Sequence, residues 1–169
     1  MKTALSFKRF SLHKIGSQKG FTLIELLVVI GILAVLLAIT LIAINPARQF
    51  GNANNTKRRS DTLQVLNALG QYMAENQGQL PAEVAALVAD TPTTLSQANF
   101  PVLCGELVPD FIPALPTNPT LNTTEVLTAD CADPLSAWVT GYSVARDATN
   151  RITVSADTTD NAAVISVSR

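Results

Sequence analysis

From Leu26 to Ile44 the chain reads LLVVIGILAVLLAITLIAI, a run without a charge in which only Gly31 and Thr40 lack an apolar side chain. A helix apolar on every side has no face to offer water, so it must lie inside protein or in lipid. At 1.5 Å per residue the run spans about 28 Å, close to the roughly 30 Å hydrocarbon thickness of a bilayer. A secretory signal has a shorter apolar region, about 7–15 residues, followed by a small-x-small cleavage site. The stretch that follows here, IAINPARQF, contains no such site. The segment is therefore expected to persist as an anchor.

Charge is divided around this anchor. Lys2, Lys8, Arg9, Lys14 and Lys19 precede it with no acid among them. The other seven basic residues and all 13 acidic ones come after Lys19. A basic flank stays in the cytoplasm by the positive-inside rule, so the acidic remainder is expected outside. That remainder is a poor match for a sequence-specific nucleic-acid binder, which shows a basic domain. One acid, Glu25, stands at the start of the apolar run. Carboxylates in such segments are rare and are normally paired and functional.

The residues around Glu25 narrow its role. Lys19-Gly20-Phe21-Thr22-Leu23-Ile24-Glu25, behind a basic leader and ahead of the apolar run, resembles the processing site of type IV prepilins and type II secretion pseudopilins. The resemblance implies cleavage by prepilin peptidase between Gly20 and Phe21 and N-methylation of Phe21. It implies a filament of like subunits, in which Glu25 pairs with the Phe21 amine of a neighbour. Residue chemistry agrees. Gly20 has no side chain to keep its backbone out of a narrow protease site, and Glu25 lies in the first helical turns, where the dipole favours an anion. The alternatives are a plain single-pass anchor whose glutamate snorkels to the interface, and an intramolecular pair with the Phe21 amine, four residues away on the same helix face, which is compatible with assembly. Gly31, Ala34 and Ala38 are small enough for close helix approach.

Beyond the anchor, Asn45-Pro46 interrupts the helix, and Gly51 and several asparagines weaken it. Either residues 45–55 form a kink or Pro46 opens a second helix. Over 56–78, Leu63, Leu66, Gly70 and Met73 recur at helical spacing, widened by Val65, Leu69 and Tyr72. Lys57-Arg58-Arg59 is read as a solvated or ion-paired face, with lipid head groups or DNA as the alternative. Residues 79–136 are rich in loops and hold eight of the 9 prolines, with a short helix expected at Ala82–Ala89. Leu107–Pro119 resembles a loop of the pilin and pseudopilin group. Asn118 stands where that group often has Asp, so no charged cap or metal role is implied there.

Ala137–Ala145, Arg151–Ala156 and Ala163–Ser168 alternate as strands, with Tyr142 and Val144, Ile152 and Val154, and Ile165 and Val167 on one face. The expected fold class is α+β: a long N-terminal helix, membrane-spanning in its first half and amphipathic in its second, packed on a small antiparallel sheet head. The expected divisions are a leader at 1–20, an assembly helix at 21–44, a break at 45–55, the amphipathic helix at 56–78, the loop-rich region at 79–136 and a meander at 137–169.

Cys104 and Cys131, the 2 cysteines, fall in the part expected outside the cytoplasm, where disulfides persist. A disulfide is expected, with two free thiols the alternative. No metal site is expected, since two cysteines without a nearby histidine give too few ligands for zinc. Asp130/Asp133 and Asp157/Asp160 lack the ligand spacing of a calcium loop. The single histidine, His13, lies in the leader, so no Ser/Cys–His nucleophile is available and no catalysis or cofactor is expected. Asn54-Asn55-Thr56 and Asn122-Thr123-Thr124 match the glycosylation pattern.

The function implied is that of a structural subunit of a type IV pilus-like filament. It would be held first in the cytoplasmic membrane with its head outside, and would be partnered by like subunits, prepilin peptidase and the assembly machinery. A pseudopilin of a type II secretion system, or more distantly a membrane-tethered binding domain, are the other readings.

Overall fold

The computed structural model describes residues 20–121 and 123–169 and divides into two units at Ile44. In the first, helix α1 covers Leu23–Ile44 and buries none of its residues. Beyond Glu25 in its first turn, its side chains are apolar around almost the whole circumference, leaving no polar face for water.

The second unit opens at Asn45, whose backbone is left-handed (φ 47°) and whose Oδ1 accepts from the Arg48 amide at 3.3 Å. Helix α2, Pro46–Glu75, starts there with proline at its first position, where the missing N–H costs nothing. Of the two alternatives at this point the structure has the second helix, and residues 46–55 are helical. The helix ends where the Asn76 and Gly78 amides return to Tyr72 O and Met73 O, with Gly78 at φ 83°. This is the left-handed closure that glycine favours.

α2 lies on a four-stranded antiparallel sheet of order β1-β2-β3-β4: Thr93–Ser96, Val139–Arg146, Ile152–Ala156 and Ser166–Ser168. Val144 sits opposite Val154, and Val154 opposite Val167. Tyr142, Val144, Ile152, Val154 and Ile165 are buried, as the alternation predicts, and Val167 packs against them. From the helix side come Val65, Leu66, Ala68 and Leu69. Each buried Val or Leu contributes about 1.5–3 kcal/mol by leaving water. Leu63, expected in the stripe, is 47% exposed, because the buried face runs along Arg58, Thr62, Val65 and Leu69 instead.

The loop-rich region contains more order than its prolines suggest. It holds β1 and the short helices α3 (Ala82–Ala85), α4 (Leu103–Leu107) and α5 (Thr128–Ala132). The expected helix at Ala82–Ala89 is thus one turn. The last strand starts at Ser166, later than the expected Ala163, after a turn in which Asn161 and Ala162 take left-handed backbone (φ 55° and 54°). Both sheet edges are only three or four residues long, which limits edge-to-edge pairing.

Candidate functional site

The N-terminal site is built by the first turn of α1. Thr22 precedes the first helical residue, and its Oγ1 accepts from the Glu25 amide at 3.3 Å. Glu25 Oε2 in turn accepts from the Thr22 amide at 2.8 Å and from the Thr22 hydroxyl at 2.6 Å. This reciprocal arrangement is a capping box, satisfying donors that the start of a helix leaves free. Thr22 is absent from the expected site residues, although the T-x-x-E spacing ahead of an apolar run is its sequence signal. Phe21 is 84% exposed. A Cβ placed on Gly20 meets nothing within 4 Å. No contact within the described chain demands glycine at position 20.

A polar seam lies inside the second unit. Arg58 is fully buried. Its guanidinium donates to Asp160 Oδ2 at 2.7 Å, Asn55 Oδ1 at 2.8 Å and Asn118 Oδ1 at 2.9 Å. The Asn118 amide group donates to the carbonyls of Gly141 and Thr158. Asn118 is therefore a buried junction between the loop at 117–120, β2 and the turn after β3. The close fit continues at Gly141 (φ 73°), where a Cβ would lie 2.9 Å from that of Asn118. Beside the seam, Tyr142 donates to Asp61 Oδ2 at 2.6 Å, and Lys57 Nζ bonds the same oxygen at 2.9 Å.

These bonds set the local titration. The Arg58 guanidinium first, and the Asn54 amide second, hold the Asp160 carboxyl below the usual carboxylate range. Burial, and then the Asp61 carboxylate, push the Tyr142 phenol far above its ordinary value.

Lys57-Arg58-Arg59 is thus no continuous basic patch. Arg58 points into the interior, so a three-residue lipid or DNA contact is ruled out, and Lys57 and Arg58 are both ion-paired. The two aspartate pairs are separately occupied. Asp130 and Asp133 accept from the amides of Leu127 and Leu135. Asp157 takes the Ser143 hydroxyl, while Asp160 takes Arg58. Among the described residues no three His, Cys, Asp or Glu side chains gather as a metal site. Asn54 Nδ2 donates to Asp160 Oδ2, which engages the atom a glycan would need. Asn122 and His13 lie outside the described residues, as does the leader ahead of Gly20. Cys104 and Cys131 form a disulfide across a Cα–Cα distance of 5.3 Å, joining α4 to α5.

The chain thus combines a small α+β unit with one helix long and apolar enough to cross a membrane, the only one among the described residues. That pairing is consistent with a membrane-anchored precursor. A family model described as the prokaryotic N-terminal methylation motif matches residues 15–41. The chain therefore carries the prepilin-type signal of type IV pilins and pseudopilins, whose family is structural rather than enzymatic. The signal implies processing by prepilin peptidase and assembly with pilus machinery. Neither the curated proteins nor the solved structures contain a match to the chain.

Proposed function

We propose that the chain is a structural subunit of a type IV pilus-like filament. Prepilin peptidase cuts between Gly20 and Phe21, and the new Phe21 amine is N-methylated. Until assembly, α1 holds the subunit in the cytoplasmic membrane with the head outside. Subunits then leave the membrane as their apolar helices pack together, and Glu25 of one pairs with the Phe21 amine of the next.

One observation carries this reading: α1 buries none of its residues, yet a carboxylate stands in its first turn within a processing motif. Apolar surface of that extent is covered by lipid or by other copies. Within a filament core an unpaired carboxylate is costly, so Glu25 penalises helices that stack out of register. The open space around Gly20 supports a glycine requirement set by the peptidase. The Cys104–Cys131 staple suits a head outside the cytoplasm, a setting common to a surface pilus and a secretion pseudopilus.

The test is Glu25→Ala. Expected is a subunit still cut before Phe21, by mass spectrometry, that gives no filaments by electron microscopy of sheared cells. Normal filaments with unchanged subunit spacing would refute the role of Glu25.

A further inference from the structure

Two features of the head are left over by its own packing. The first is a groove between α2 and the β4 edge, about 220 Å³ in volume, lined by Leu66, Gly70, Met73, Ile152 and Arg169. Arg169 exchanges backbone hydrogen bonds with Ile152, and its guanidinium lies over Gly70, where a Cβ would stand 3.0 Å from Nη1. Leu63, one helical turn before Leu66 on the same stripe, is 47% exposed.

The second is the turn ahead of β2. Asp133 Oδ1 accepts from the Leu135 amide at 2.9 Å, and Asp133 O accepts from the Ser136 amide at 3.0 Å. These bonds fix the backbone on either side of Leu135, whose side chain is nonetheless 89% exposed. The turn follows α5, which the Cys104–Cys131 disulfide ties to α4. An aliphatic side chain is thus held out from a braced support, in contact with little of its own head.

Sheet order keeps the two features apart. The turn leads into β2 beside the end of β1, where Ser96 pairs with Val139, whereas the groove lies at the β4 edge. Charge matches them across molecules. Between Arg59 and Arg146 the chain has no lysine or arginine, so the neighbours of Leu135 in the chain that carry charge are the acids Asp130 and Asp133. The charged residue lining the groove is Arg169.

We propose that the Asp133–Ser136 turn of one subunit docks in the α2–β4 groove of a second copy, with Leu135 filling the groove and Asp133 facing Arg169. The proposal rests on the filament reading and names a contact between heads within it. Leu135 and the groove leave water together, and the opposite charges fix their orientation. Because the two patches differ, the contact does not close into a two-fold pair and repeats from copy to copy.

The test is cross-linking of sheared filaments carrying Leu135→Cys together with Met73→Cys, the native cysteines being already paired. After mild oxidation, a denaturing gel without reductant is expected to show a ladder of dimers, trimers and longer species, and monomer alone for each single variant. Monomer alone from filaments of the double variant overturns the proposal, as do dimers from either single variant, which would mean a two-fold contact. Leu135→Ser decides independently, including where the paired cysteines block assembly. Its head should keep the wild-type circular dichroism and thermal unfolding while filaments are lost; filaments in wild-type amount overturn the contact. A wild-type chain that makes no filaments would instead sink the filament reading and this contact with it.

Discussion

Tyr142→Phe removes a single oxygen from the centre of the head. The ring packing survives, but Asp61, only 4% exposed, loses the donor at 2.6 Å and keeps Lys57 alone. Hydrogen bonds to charged groups contribute about 1.5–3 kcal/mol, so a loss of about 2 kcal/mol is expected at pH 7. The same hydroxyl gives the wild type an alkaline weakness. In the unfolded chain the phenol ionises near pH 10, whereas in the folded chain burial and Asp61 keep it protonated well above that. Above pH 10 the unfolded state binds fewer protons than the folded state, so stability falls as pH rises, by about 1.4 kcal/mol per pH unit. The phenylalanine variant lacks this loss. The gap of about 2 kcal/mol should shrink from pH 10 upward and close about 1.5 units higher. Guanidinium titrations in detergent at pH 7, 9, 10.5 and 11.5 would measure it, read by fluorescence of Trp138, the single tryptophan, which is 7% exposed. Equal stability at pH 7, or parallel curves from pH 9 to 11.5, would refute the argument.

Gly20→Val should leave an uncut precursor in the membrane, seen as the full-length mass, while the fold of the head by circular dichroism stays the same. Cys104→Ser with Cys131→Ser opens a loop with a sequence separation of 27 and should lower the head's unfolding free energy by about 3–4 kcal/mol in the chain-entropy model. Arg58→Met takes a donor from Asn55, Asn118 and Asp160 at once and should cost about 2–4 kcal/mol at pH 7 by denaturant titration. Asp160 titrates below the usual range in the fold, so its contribution is present above about pH 4 and lost as pH falls. The gap between wild type and Arg58→Met should therefore narrow in acid, with the part due to the neutral partners Asn55 and Asn118 remaining.

What the sequence made legible follows one kind of signal. Apolar residues at a fixed spacing revealed α1, the lower half of α2 through Val65 and Leu69, and the inward faces of β2 and β3. The motif at Gly20–Glu25 is local, and every residue of it is adjacent in the chain. The upper half of α2 was not legible, because its buried face at Gly51, Asn55, Arg58 and Thr62 is polar and reads as solvent-facing. Arg58 is the clearest case: flanked by Lys57 and Arg59 it reads as surface charge, yet its three main partners lie at positions 55, 118 and 160. β1 was missed because four residues, TTLS, between prolines carry too little pattern to separate a short edge strand from a loop.

The amino-acid sequence alone determined that this chain has one long apolar helix, where its methylation motif falls, and which strand residues share a face, since each depends on neighbours along the chain or on a short period. Only the tertiary structure decided which polar groups are buried and that Pro46–Asn55 is helical. Both depend on partners 60 to 106 positions away, brought within hydrogen-bond distance by the tertiary fold.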